Sequence, residues 1–396
     1  MWQDVQAAPA DVILGLTEAV RADNNPQKVN LGVGVYQDDT GRTPILKAVK
    51  EAEKILVKNE TSKNYLPIPG DASFATLIQE LVFGAGHSAL REKRVVTAHT
   101  PAGTGALRVG ADLLQKFLPK ATVWTSGPTW ANHRGIFATF AQKEYPYYDP
   151  ARMGIDFPAM VEALATVPAG DIVVLHACCH NPSGFDLQPE QWDEIVAVAA
   201  AQKWLPFVDF AYQGFSRGLA EDRYAVTKLA ETGLDMLIAS SYSKNFGLYN
   251  ERCGALNLLA PSEKEAAVAM SHLKTVIRVL YSNPPAHGGL IVATILADQR
   301  LRALWEEELA AMRQHLIDMR HLLVNGLKER GVNRDFSFIT RQNGMFSNTG
   351  LDNRIVDWLR HERHIYMVAG GRINLAGLTT KNITYVCDSI AQALAG

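Results

Sequence analysis

Short apolar runs alternate with longer stretches of helical period through the middle of the chain. The runs Arg94–Ala98, Ala121–Thr125, Asp171–Ala177, Leu205–Phe210, Asp235–Ser240 and Cys253–Leu259 read as strands. Several are apolar almost without interruption, as expected for strands covered on both faces of a mainly parallel sheet. Between them lie segments such as Gly105–Phe117 and Pro189–Lys203, whose helical period suits the crossovers that parallel strands require. The pattern predicts an α/β domain.

Beyond the strands, Leu301, Trp305, Leu309, Met312, Leu316, Met319 and Leu323 recur with a mean step of about 3.7 residues, close to the ~3.6 of an α-helix. A helix over roughly 300–330 would be about 45 Å long at ~1.5 Å per residue, enough to leave one domain and enter another. The segment from there to Gly396 mixes short strand and helix signals and predicts a smaller α+β domain.

Composition narrows the class. The chain has 396 residues, 39 Lys+Arg against 41 Asp+Glu, 47% hydrophobic and 20% charged residues. These values describe an ordinary globular protein whose core needs no disulfide staples. A net charge of −2 argues against a nucleic-acid partner. No apolar run reaches membrane-spanning length and the N-terminus lacks a secretory pattern, so a cytoplasmic protein is expected. Cys178, Cys179, Cys253 and Cys387 show no framework spacing.

Sites in open α/β sheets form at the carboxyl ends of strands, and four such ends here carry polar clusters. Thr100–Arg108 is a Gly/Thr-rich entry into a helix, where free N–H groups and the Thr104 hydroxyl suit an anion or a plain helix cap. His176–Gly184 holds two His and two Cys, but alternating strand residues cannot easily converge on one ion. No metal site is expected, and Asn181 is the better functional candidate. In Val208–Phe215, Asp209 ends an apolar run and needs a cationic or donor partner, with Tyr212 three residues on. In Ala239–Gly247, Lys244 follows an apolar strand among hydroxyls, with Arg252 beyond. A phosphate cradle, an oxygen-donor pair, a carboxylate and a lysine together match what pyridoxal 5'-phosphate requires.

These residues, in this order, resemble the class I pyridoxal-phosphate-dependent aminotransferases of fold type I, in particular the aspartate/aromatic aminotransferase subgroup. The stretches Ser241–Arg252, Val208–Phe215, Tyr281–Pro285 and Gly371–Asn374 carry the resemblance, which extends over nearly the whole chain. It implies that Lys244 is the Schiff-base lysine and proton carrier, with Asp209 on the pyridinium nitrogen and His133 behind that carboxylate. Asn181 and Tyr212 would hold the ring's phenolic oxygen, and Trp130 would stack on the ring. Gly103, Thr104, Ser241, Ser243 and Arg252 would surround the phosphate, with Tyr65 contributed by a neighbouring subunit. For substrate, the resemblance implies Arg372 on the α-carboxylate, helped by Asn181, Trp130 and Gly34, and Arg278 on a distal carboxylate across a dimer interface.

The same resemblance implies a large domain over 44–310 with a mainly parallel seven-stranded sheet, and a small domain of 1–43 with 311–396. Residues 1–12 would form an arm around the partner of a homodimer that shares its active sites across the interface. The implied reaction moves an amino group between L-aspartate or L-glutamate and a 2-oxo acid. The alternative is an aromatic-amino-acid aminotransferase of dual specificity, because Asn348 stands where the family usually has Phe or Tyr. A β-lyase or decarboxylase of the same fold type would share Lys244 and Asp209 but break a different bond.

Overall fold

The apolar runs become the sheet of a computed structural model that describes residues 1–3, 5–7, 12–32 and 34–395. Its strands are β1 Val95–Pro101, β2 Thr122–Gly127, β3 Ala141–Pro146, β4 Ile172–His176, β5 Leu205–Phe210, β6 Met236–Ser241 and β7 Cys253–Leu259. They lie in the order β1-β7-β6-β5-β4-β2-β3. Four pairings, from β6 across to β3, are parallel. Only β7 runs against its neighbours β1 and β6. The protein is α/β with a mainly parallel seven-stranded sheet.

Every position of β4, β6 and β7 is buried, which is why these segments read as unbroken apolar runs. Strand β3 has a different sequence, Ala-Gln-Lys-Glu-Tyr-Pro, with only Tyr145 buried. It pairs on one side only, at the sheet edge, and its polar residues gave no strand signal. Helix α1, Ala102–Phe117, lays Ala106, Leu107, Val109, Leu113 and Leu114 into the core against Phe207, Leu237 and Leu256. Gly110 permits the close approach: a Cβ there would stand 2.4 Å from Phe207 Cζ, so any side chain would push the helix off the sheet.

Four more helices matter below: α2 Asn132–Ile136, α3 Pro189–Gln202, α4 Glu263–Leu280 and α5 Gln299–Glu329. By contacts the chain divides into two units, one of residues 44–314 with 342–344, the other of 1–43, 315–341 and 345–396. The boundary falls within α5, so this one helix belongs to both. The sheet lies wholly in the first unit.

The second unit joins the two chain ends. Val29–Asn30 pairs in parallel with Ile365–Tyr366, and β8 Phe346–Asn348 pairs antiparallel with β9 Arg372–Asn374. Leu31, Leu316, Met319, Leu323, Ile365, Met367 and Ile390 are buried within it. The arm expected over residues 1–12 falls partly on positions 4 and 8–11, which lie outside the described residues. Among the described residues no helix is long and apolar enough to cross a membrane.

Candidate active site

The topology brings the polar clusters to one edge of the sheet. Strands β2 to β6 run parallel, and β1 shares the direction of β6 because β7 opposes both. The loops after these strands, and the residues just before β7, therefore emerge together. Asp209 ends β5 with Tyr212 in the following turn, Ser241 ends β6 with Ser243 and Lys244 next, and Arg252 immediately precedes β7. Gly103 and Thr104 open α1, Trp130 precedes α2, His133 lies on α2, and Asn181 follows β4.

Asp209 is buried, and its Oδ2 lies 3.1 Å from His133 Nε2. Burial alone would raise its carboxyl; the His133 hydrogen bond, foremost among the influences of His133, His176 and Lys244, outweighs that and holds it below the usual carboxylate range. With the carboxylate ionised, the bond runs from His133 Nε2–H to Oδ2. His133 Nδ1, 2.8 Å from Thr129 Oγ1, then accepts from that hydroxyl. His176 stands beside Asp209 in strand register. Burial, and then His180 and His133, drive its imidazolium form far down, against the opposing pull of Asp209. Its ring is neutral.

Lys244 Nζ lies 4.7 Å from the centre of the Tyr212 ring. Desolvation is the largest influence on its ammonium and lowers its pKa; Arg252 lowers it further, while Asp209 pulls the other way. The free amine is thus more accessible at neutral pH than on an ordinary lysine, which is what attack on a carbonyl requires. Such a site, a nucleophilic amine in the field of a fixed carboxylate, suits a cofactor with an aldehyde and a basic ring nitrogen.

The start of α1 fits an anion. Its N-cap is Pro101, which offers no side-chain hydrogen bond to the first N–H groups. Ala102 N–H is taken by the Arg252 carbonyl at 3.0 Å, and the N–H groups that follow have no side-chain cap. A Cβ on Gly103 would stand 3.0 Å from Ser241 Cβ, so glycine keeps this cradle open. Ser241 and Ser243 hydroxyls lie 3.3 Å apart beside it. Backbone N–H groups and two hydroxyls form a donor set for phosphate, while the Arg252 guanidinium donates to the Tyr249 carbonyl at 3.0 Å.

Trp130 is half-buried, its ring edge-on to His133 at 5.4 Å between centroids, and Asn181 is buried. Other expected residues stand apart from this cluster. Tyr65 is 92% exposed, and Arg278 is exposed near the end of α4. Among the described residues, neither makes a side-chain hydrogen bond or ion pair. Gly34 and Arg372 belong to the second unit, where Arg372 is buried with its guanidinium 4.4 Å from the centre of the Phe346 ring.

Two residues at the site carried no assignment from sequence. Thr129, whose hydroxyl meets His133 Nδ1, sits four positions before it, and that spacing was a usable signal. His176 was visible only within a cluster with Cys178, Cys179 and His180. Its ring lies among Asp209, His133 and His180, the last edge-on at 4.5 Å between centroids; His180 is itself engaged by Ser126 and Ser183, each at 2.8 Å.

Fold and site together define a cofactor-dependent α/β enzyme that handles amines. The family model for aminotransferase class I and II matches residues 26–390. Over all 396 residues, covering both chains entirely, the protein is 51% identical to an aspartate aminotransferase of Salmonella typhi and 50% identical to one of Escherichia coli K12. A solved aromatic-amino-acid aminotransferase of Burkholderia pseudomallei, covalently bound to pyridoxal phosphate, superposes with a TM-score of 0.97 at 48% identity, covering 100% of this chain and 99% of that one. The chain belongs to the class I and II aminotransferases, and its chemistry is pyridoxal-phosphate-dependent transamination.

Proposed function

We propose that the protein transfers the amino group between L-aspartate, or L-glutamate, and a 2-oxo acid, alternating between the pyridoxal and pyridoxamine forms of its cofactor. The observation that carries this is the pairing of a desolvated Lys244 with an ionised, histidine-backed Asp209 at the carboxyl edge of the sheet. The choice of aspartate rests on the two full-length relatives of that name.

Pyridoxal phosphate, when bound, supplies an aldehyde that condenses with amines and a protonated ring that accepts electrons from the substrate's α-carbon. Asp209 would hold a proton on the ring nitrogen, and His133, held by Thr129, keeps Asp209 oriented for that role. Lys244, whose amine is desolvated, would be the residue that holds the cofactor's aldehyde and carries the proton at the substrate's α-carbon. Asn181 and Tyr212 would hold the phenolic oxygen, with Trp130 against the ring, and Gly103, Thr104, Ser241, Ser243 and Arg252 would hold the phosphate. Arg372 would take the substrate's α-carboxylate in a bidentate fork, and Arg278 would read a second carboxylate.

The working form is a homodimer in which Tyr65 and Arg278 serve the partner's site, which accounts for two large side chains left exposed and without polar partners. The sheet-bearing domain, about 44–310, binds the cofactor; the smaller domain is made from 1–43 and 311–396. Four free, buried thiols suit a reducing compartment, and we place the protein in the cytoplasm.

One observation favours a second reading, dual activity on aromatic amino acids. Asn348 lies opposite Arg372 in the β8–β9 pair and turns its Oδ1 to Gly350 N–H at 2.8 Å. Position 348 itself carries no aromatic ring; the ring beside the arginine is that of Phe346, 4.4 Å from its guanidinium. A half-reaction separates the readings: cofactor-loaded enzyme is mixed with L-aspartate or L-phenylalanine and no keto acid, and the visible cofactor band is followed. Fast loss with aspartate and slow loss with phenylalanine is the expected outcome. Comparable rates would establish dual specificity, and no loss with either would overturn transamination.

A further inference from the structure

We propose that the cofactor-free chain carries a site for one d-block divalent cation of the zinc or cobalt type, made by His133, His176 and Asp209. Each offers one ligand atom, and these atoms all lie within 4.8 Å of one another. The fold explains the convergence. His176 and Asp209 are register partners on adjacent parallel strands, so their side chains leave the same face of the sheet about 4.8 Å apart. His133 descends on them from α2, its Nε2 already 3.1 Å from Asp209 Oδ2.

His176 supplies the independent sign of a missing partner. It is 8% exposed, and both its ring nitrogens are buried without a hydrogen bond. Buried polar atoms in native proteins are rarely left so, because each forfeits its contact with water. Two imidazoles and one carboxylate are a donor set that prefers borderline d-block ions to magnesium or calcium. His133 can switch from donor to ligand without losing its other contact: its proton moves to Nδ1, and the Thr129 hydroxyl turns from donating to accepting. Thr129 is then the outer partner that fixes the imidazole, the usual companion of a metal-bound histidine.

The functional consequence rests on the reading of Asp209 as the partner of the cofactor's ring nitrogen. Metal and cofactor use the same carboxylate, so they exclude one another. A metal-loaded chain is an enzyme held out of service until the cofactor displaces the ion.

The test uses the full-length chain stripped of cofactor, titrated with cobalt(II) and followed by visible d–d absorption and equilibrium dialysis. One cobalt per chain is expected, with affinity reduced at least roughly 10–100-fold in His176→Ala and His176→Gln, and by a similar factor in Thr129→Val. Circular dichroism of the two His176 variants checks that the fold persists, and the glutamine preserves bulk where alanine does not. Pyridoxal phosphate should release the cobalt, and cobalt should slow the appearance of the cofactor's colour. Absence of stoichiometric binding, or binding unchanged in both His176 variants, overturns the metal site. Colour without any cobalt binding removes the metal site and leaves the cofactor reading standing. Cobalt retained while the cofactor's colour develops in full keeps the metal site and removes Asp209 from the cofactor's contacts.

Discussion

Asp209 acts on two neighbours at once, and a single atom change separates the effects. In Asp209→Asn the side chain keeps its shape and can still accept from His133, but its charge is gone. Losing a buried charge-assisted contact costs on the order of 2–5 kcal/mol, roughly 30- to 5000-fold in rate, and turnover should fall within that range. Asp209 also raises the Lys244 pKa against burial and Arg252. Without it the amine deprotonates at still lower pH, so the pH profile for colour formation on adding pyridoxal phosphate should shift downward. An unshifted profile with unchanged turnover would remove Asp209 from the site. At this scale much was legible: Asp209, Tyr212, Ser243, Lys244 and Arg252 sit where apolar runs break into polar clusters. What the sequence hid were pairings through space, such as His176 with Asp209, because strand order decides them and spacing does not.

The elements that tie the chain ends meet at Asp23. Its Oδ2 accepts from the Tyr366 hydroxyl and faces His364 Nδ1, both at 2.7 Å, while Oδ1 accepts from Asn25 N–H at 2.8 Å. These contacts, led by the Asn25 N–H and the Tyr366 hydroxyl, hold the carboxyl down to about 2. A carboxyl depressed in the folded state stabilises above its unfolded pKa, near 4, and loses that contribution as pH falls through the folded value. Asp23→Asn should therefore lower the thermal midpoint at neutral pH, with the gap to the parent closing between about pH 4 and 2. A gap independent of pH would show that shape, and not charge, holds these elements. Local pattern could not reveal this junction, since residues more than 300 positions apart make it. It did reveal six of the seven sheet strands, three of them buried at every position, and missed Ala141–Pro146, whose edge position lets it stay polar.

At the scale of the whole molecule, the exposed Tyr65 and Arg278 ask whether one chain can work alone. If active sites are shared across a two-fold interface, two inactive variants repair one another. Lys244→Ala lacks the amine; Arg278→Ala lacks the distal carboxylate ligand and should lose about 2–5 kcal/mol toward aspartate, with far less effect on phenylalanine. In a mixed dimer, the site with native Lys244 receives its arginine from the Lys244→Ala chain and is complete. The other site carries both lesions. Random pairing of equal amounts makes about half the dimers mixed, so about a quarter of all sites are native. Co-refolding the two variants should thus restore aspartate turnover to about a quarter of the parent's, from preparations far less active apart. Recovery no greater than the average of the two separate activities would mean that each chain completes its own site, and that Arg278 serves the chain that carries it.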